Sequence, residues 1–197
     1  MKVILLNGPI GSGKDTIGAA LFRALVQRGL RVRMASFKAA IWKVLGRHFG
    51  LTTEQVKHLQ CAHDNRVLKE RPQALLYGRS TREALIYISE EVVKPNCGVD
   101  YFGRQVADYL QGDERYDDPF DFAIITDSGF IEELQPVAHR YSSYVFRLMG
   151  RGTFEGDSRR YLEWAECVEA GVLAMKDIHL EEGHPEYAVD EILLSIN

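Results

Sequence analysis

The sequence predicts an α/β fold, a three-layer sandwich around a parallel sheet of five strands, and three observations carry that expectation. Short apolar runs alternate with stretches of helical periodicity along the chain. The first run, Val3 to Leu6, passes through a glycine-rich turn straight into a helical segment. The 197 residues, 46% of them hydrophobic and free of any biased tract, suit one domain over 1–197 with a sizeable core.

Strands are expected at Lys2 to Leu6, Arg31 to Phe37, Phe122 to Thr126 and Ser143 to Leu148, with a fainter pattern at Lys176 to Leu180. The intervals carry helices. Asp15 to Gly29 places Ile17, Leu21 and Leu25 on one face and stops at a glycine. Further helices are expected at Ala39 to Phe49, from Thr52 onward, at Thr81 to Val93 and at Tyr101 to Leu110. A turn or two follows Phe130, and the last helices span Arg159 to Ala170 and Pro185 to Ile196. The interval between the second and third strands is long and helical. Residues 39–115 therefore read as an insertion that caps the C-terminal edge of the strands, where open α/β sheets bind ligands. No internal repeat is visible.

Composition narrows the function classes. The formal net charge of −4 does not predict a surface that grips duplex DNA through many phosphates, although a local basic cleft is compatible with it. No apolar run approaches a membrane span, and strand and turn begin at once with no signal sequence ahead of them, so a cytoplasmic location is expected. Cys61, Cys97 and Cys167 are odd in number and form no C-x-x-C pair, which argues against a disulfide framework and a thiolate zinc site. They read as structural thiols, and His58 and His63 as helix and loop surface rather than metal ligands.

The chemistry is concentrated in Gly8-Pro9-Ile10-Gly11-Ser12-Gly13-Lys14-Asp15-Thr16. Gly8, four residues, then Gly13-Lys14 is the spacing of a P-loop, whose backbone N–H groups surround phosphates while the lysine follows the β and γ oxygens. Gly8, Gly11, Ser12, Gly13, Lys14, Asp15 and Thr16 are thus the candidate ATP-binding residues. Asp15 stands where a Ser or Thr normally holds Mg²⁺, and a hydroxyl appears one place later at Thr16. A dinucleotide fingerprint read from Gly11 and Gly13 would need glycine at Thr16, so that alternative fails.

Two further sites follow from local pattern. Ser80-Thr81-Arg82-Glu83 reads as a capping box, which makes Glu83 structural and leaves Arg82 in a first helical turn. A cation is unfavourable there unless an anion lies close by. Asp121 to Asp127 is an apolar strand ending in a carboxylate, as expected of the residue that orients Mg²⁺ or its waters, although Asp127 would also suit the N-cap of the helix that follows. Ser128 competes for that capping role.

The ordered set of GPIGSGKDT, SFKAA at Ser36 to Ala40, STREALIYISEEVVKP at Ser80 to Pro95, GVDYFGR at Gly98 to Arg104, TDSGF at Thr126 to Phe130 and TFEGDSRRY at Thr153 to Tyr161 resembles bacteriophage deoxynucleoside monophosphate kinases. The blocks span most of the chain. The resemblance implies the nucleoside monophosphate kinase fold, the host cytoplasm, ATP and Mg²⁺, and transfer of the γ-phosphoryl to a deoxynucleotide phosphate. It implies that Lys14 contacts the transferred group, that Lys38, Arg82 and Arg104 hold the acceptor, and that Arg151, Arg159 or Arg160 close from a lid at about 150–160. Catalytic candidates are then Lys14, Asp127, Arg151 and Arg159, and metal-holding candidates are Thr16, Asp15 and Asp127. The chain departs from the pattern twice. Thr81 replaces a proline before the arginine, and Gly129-Phe130-Ile131-Glu132 lacks the arginine that related adenylate kinases carry shortly after the third strand.

The acceptor class can be argued from charge. A phosphate acceptor is already ionised and needs cations more than a base. The second strand ends in Ser36-Phe37-Lys38, a cation where hydroxyl-phosphorylating relatives resemble one another in placing a carboxylate, which favours a small-molecule monophosphate. Two alternatives stay open: a phage kinase acting on a hydroxymethylpyrimidine within DNA, with Asp127 or Asp15 as base, and a nucleotide-binding switch without transfer activity.

Overall fold

The computed structural model describes residues 1–65, 67–112, 120–156 and 159–196. The end of the expected insertion, 113–115, and positions 157 and 158 of the expected lid lie outside the described residues. The chain divides into two compact units, one of Met1–Phe37 with Gly103–Asn197 and the other of Lys38–Phe102.

The first unit is organised by one strand. Lys2–Asn7 (β1) carries Val3, Ile4, Leu5 and Leu6, all with no exposed surface. Successive side chains of a strand point to opposite faces, so an unbroken apolar run needs cover on both. Val3 and Leu5 pack with Val106 of Tyr101–Gln111 (α6), Leu134 and Val137 of Ile131–Ala138 (α7) and Cys167 of Trp164–Glu169 (α8). Ile4 and Leu6 pack on the other side with Ile17, Leu21 and Leu25 of Lys14–Gln27 (α1) and with Ile192 and Leu193 of Pro185–Ser195 (α9). Full burial of such side chains stabilises by about 1.5–3 kcal/mol each.

Around β1 the sheet is five-stranded and parallel. Val32–Ala35 (β2), Phe122–Ser128 (β3), Ser142–Met149 (β4) and Ala174–His179 (β5) give the order β2-β3-β1-β4-β5. The expected three-layer α/β fold is what the chain adopts. The register between β1 and β3 slips between Leu5 and Asn7, so that Asn7 faces Ser128. Asn7 is fully buried and satisfied: its amide donates to the carbonyls of Ser128 (3.3 Å) and Arg160 (3.1 Å), and its oxygen accepts from Leu162 N (3.0 Å).

Those bonds explain a correction. The helix expected from Arg159 begins only at Trp164. Arg160's carbonyl and Leu162's N–H, which a helix would need for its own ladder, are both taken by Asn7. A second correction concerns the second strand, expected to run to Phe37. It stops at Ala35, and Phe37–His48 (α2) starts because Asp127 accepts from Ser36 Oγ (2.7 Å) and from Phe37 N (3.2 Å). The last strand, at Ala174–His179, starts two residues earlier and ends one residue earlier than its sequence pattern indicates.

The second unit is helical. After α2 come Thr53–Asp64 (α3), two 3₁₀ turns at Leu68–Glu70 and Ala74–Leu76, and Thr81–Tyr87 (α4). The latter runs on through a π-helical turn, Ile88–Val93, into Lys94–Cys97 (α5). Its core joins Trp42, Leu45, Phe49, Leu59, Leu76, Leu85, Ile88 and Phe102. Both helix starts are capping boxes. Thr52 Oγ1 accepts from Gln55 N while Gln55 accepts from Thr52 N, and Ser80 and Glu83 exchange the same pair at 3.2 and 2.8 Å. The bond from Ser80 N, and then the Ser80 side chain, hold the Glu83 carboxyl below its ordinary value. Of the three cysteines only Cys167 is structural; Cys61 and Cys97 are exposed. Burial pushes the Cys167 thiol up to about 11. Among the described residues, no helix is long and apolar enough to cross a membrane.

Backbone comes close to backbone between α6 and α7, where a Cβ added to Gly103 would stand 2.2 Å from the carbonyl oxygen of Glu133. Backbone on both sides leaves no side chain to yield. Gly103→Ala is therefore expected to destabilise the fold by about 1–3 kcal/mol, the usual cost of overpacking, read as a lower denaturation midpoint. An unchanged midpoint would show that the two helices can part without cost.

Candidate functional site

Because every strand of the sheet is parallel, all five C-terminal ends meet at one edge, and the loop after β1 lies on it. Gly11 (φ 84°) and Gly13 (φ 87°) take left-handed conformations that other residues adopt only under strain. Gly13 is the residue before α1, so the loop delivers its N–H groups to the positive end of a fourteen-residue helix. Lys14 folds back over the loop, donating from Nζ to the carbonyls of Gly8 (2.6 Å) and Pro9 (2.7 Å), with Ser12 Oγ at 3.5 Å. Ser12 is buried and donates to the Pro9 carbonyl (2.9 Å).

The flanking strands contribute next. Thr126, near the end of β3, donates to the Asp15 carboxylate at 2.6 Å. Asp127 follows it and holds the β2–α2 junction through Ser36 and Phe37. It does not cap the helix after β3: the N-cap of α7 is Phe130, with no side-chain bond. Ser128, the other capping candidate, has a buried hydroxyl that meets no partner among the described residues. Thr16 is exposed on the first turn of α1.

After β4 the chain returns to the loop. Ile10 and Thr153 exchange both backbone hydrogen bonds at 3.2 Å, an antiparallel bridge that ties the segment expected to act as a lid directly to the glycine loop. Gly152 (φ 82°) permits it, since a Cβ there would stand 2.3 Å from the Ile10 oxygen. The segment is further held by Phe154 packed edge-on against Tyr161, whose hydroxyl donates to the Leu148 carbonyl (2.8 Å). Arg151 is paired with Glu182 at 3.7 Å on the surface. Arg160, in an extended stretch rather than on a helix, donates to Glu166 (2.9 Å). Arg159 goes elsewhere. Its aliphatic stem lies on Gly129, where an added Cβ would meet Cγ and Cδ at 2.6 Å. The stretch after β3 that lacks an arginine of its own thus has one laid against it from position 159.

The acceptor candidates fall in both units. Arg104 is exposed on α6 in the first unit, whereas Lys38 and Arg82 belong to the second. Arg82 has the anion that its place in a first helical turn calls for: Glu70, at 3.3 Å. Sequence pattern missed what stands beside it. His63 is half-buried rather than surface, its ring edge-on to Trp42 and its Nδ1 3.2 Å from Thr81 Oγ1. Burial first, then the charges of Lys38, Lys69 and Arg82, bring its pKa down to about 4 against a weaker opposing pull from Glu70. Lys69, Glu70 and Asn7 also carry no linear signal, because each acquires its role from a partner that packing supplies.

No family model matches the chain, and no curated protein matches its sequence. Solved structures similar to it include shikimate kinase from Acinetobacter baumannii in complex with shikimate, with a TM-score of 0.45 and 15% identity over 99% of this chain and 92% of that one. Shikimate kinase from Aquifex aeolicus gives 0.39 and 18% over 100% and 96%, and that from Bacteroides thetaiotaomicron 0.37 and 15% over 98% of each. Likeness at this level carries no argument about the site, which rests on its own geometry.

His63 makes stability depend on pH. Its pKa is lower in the fold (about 4) than its ordinary 6.5, so between those values the unfolded chain binds the extra proton and stability falls as the pH is lowered. Above 6.5 the contribution is complete. His63→Gln is expected to flatten the loss of denaturant resistance over that window relative to the parent. Parallel curves for the two proteins would refute the assignment.

Proposed function

We propose that this chain is a P-loop kinase that transfers the γ-phosphoryl of ATP to the phosphate of a deoxynucleoside monophosphate, giving the diphosphate and ADP. The observation that carries the reading is the Gly8–Thr16 loop, with its two left-handed glycines, its position at the strand edge and Lys14 folded onto its carbonyls. Phosphate oxygens offer Lys14 better partners than the neutral carbonyls of Gly8 and Pro9, so nucleotide binding exchanges one set of acceptors for a charged one. Gly8, Gly11, Ser12, Gly13, Asp15 and Thr16 form the rest of the ATP cradle.

The choice of a phosphate acceptor rests on the cations Lys38, Lys69 and Arg82, whose charges act on His63 against that of Glu70 among the described residues. Arg104 is assigned to the acceptor as well. Arg159, laid on Gly129, and Arg151, beside the bridge to the loop, are the cations assigned to charge that develops during transfer. The lid is segment 150–160, and the acceptor-binding insertion is 39–115.

The donor set suits Mg²⁺. Asp15, Thr16 and Asp127 present only oxygen. That matches an ion that keeps most of its waters. When bound, the metal supplies positive charge to the β and γ phosphates. Thr126 orients Asp15, and Ser36 orients Asp127, before any ligand arrives.

The deciding assay follows ADP release over the four deoxynucleoside monophosphates, with hydroxymethylated DNA in parallel. Turnover of DNA alone would move the acceptor to a hydroxyl, and ATP binding without turnover of either would leave a nucleotide switch. Lys14→Ala is expected to lower kcat by at least about 100-fold while the fold persists, since its bonds to the Gly8 and Pro9 carbonyls lie within the loop. Unimpaired turnover would remove Lys14 from the chemistry. Arg82→Ala should raise KM for the monophosphate with little change in KM for ATP. Equal losses for both substrates would show that Arg82 is not specific to the acceptor.

A further inference from the structure

A fixed carboxylate stands beside a loop built to attract anions. Asp15 is the second residue of α1, one place beyond Lys14, so it shares the positive helix end with any phosphate that the glycine loop takes up. In the empty protein that end favours the carboxylate. An arriving phosphate meets a like charge in the same helical turn, where a Ser or Thr would present none. Asp15 is exposed, and exposure alone would let it turn its charge into water, yet β3 holds it. Thr126 donates to its carboxylate at 2.6 Å. The other branch of Thr126 is fixed by α1 as well. Gly18 lies three residues beyond Asp15, on the same face of the helix, and a Cβ added to it would stand 2.4 Å from Thr126 Cγ2. With its methyl in the space that Gly18 leaves and its hydroxyl on Asp15, a β-branched side chain keeps a single χ1 setting. The hydroxyl is neutral, so it orders the carboxylate without cancelling its charge.

We propose that Asp15, positioned by Thr126, makes nucleotide binding conditional on a divalent cation, so that the loop rejects nucleotide arriving without metal. Asp15 repels a free di- or triphosphate and attracts one that carries the cation. By linkage, nucleotide and cation raise one another's affinity by the same factor, and the charge of Asp15 sets much of that factor. Thr126 is a positioning residue, and Gly18 supplies the room in which it acts. The inference deepens the kinase reading above and rests on it for the nucleotide.

The test measures the binding of ADP to the full chain by calorimetry, once with Mg²⁺ and once with a chelator in its place. The parent is expected to bind ADP at least about 100-fold more tightly with the metal. Asp15→Asn keeps the shape and an acceptor oxygen and removes the charge. Metal-free ADP should bind this variant at least about tenfold more tightly than it binds the parent, and the advantage given by the metal should shrink by at least the same factor. Thr126→Val keeps the branch and loses the donor, so it should shift both quantities the same way by a smaller factor, and Thr126→Ser should restore the parent's ratio. A merely structural role for Thr126 would lower the denaturation midpoint and leave the ratio of the two affinities unchanged, which overturns its positioning of Asp15. Metal-free affinity that does not rise in Asp15→Asn overturns the coupling. A parent chain that binds ADP equally with and without metal overturns this inference and keeps the kinase reading, whereas one that binds no ADP in either condition overturns both.

Discussion

The first unit depends on the burial of β1 from both sides. A strand with Val3, Ile4, Leu5 and Leu6 all inaccessible can only be central, and its two faces require separate helical layers. Once β1 is central and parallel to its neighbours, the ends of β3 and β4 must flank the loop that follows it. The rest of the geometry around the glycine loop follows from that adjacency. Thr126 reaches Asp15 from one neighbour, and the chain leaving the other places Thr153 against Ile10. Asn7, the last residue of β1, then fastens the segment carrying Arg159 and Arg160 to the same edge.

Electrostatic pairing sets the resting condition of the cations. Lys14 rests on carbonyls, Arg82 on Glu70, Arg151 on Glu182 and Arg160 on Glu166. Exposed ion pairs of this kind are worth at most about 1 kcal/mol, so they hold the three arginines only weakly. Arg147 is different. Its two-pronged bond to Asp177, at 2.6 and 2.8 Å, joins β4 to β5 and raises its pKa, while a third bond reaches the Leu162 carbonyl. That arginine belongs to the scaffold beneath the segment, and its charge is committed there.

The second unit shows the same division between local and distant causes. The helix start at Ser80 to Glu83 is written in a four-residue box that forms as read, and the helix expected from Thr52 opens with a second such box, Thr52 to Gln55. Its cation cluster is not local. His63 ends one helix, Lys69 sits in a short turn, Arg82 opens the next helix and Lys38 begins an earlier one, so only packing brings their charges to bear on one ring.

The sequence alone determined the fold class, the five strands, the glycine loop with its helix and the capping box at Ser80, because each rests on contacts within a few residues or on a periodicity that burial imposes. It mistook the stretch from Arg159 to Glu163 for helix, since propensity there is acceptable and the Asn7 side chain that claims its backbone lies more than 150 residues away. It carried the second strand to Phe37 for a similar reason: the Asp127 carboxylate that starts the helix comes from β3. Tertiary structure alone decided the partners of Asp15, Arg82, Arg159 and His63. Those partners are fixed by which strand ends and helix ends packing makes neighbours, and that is information no linear spacing contains.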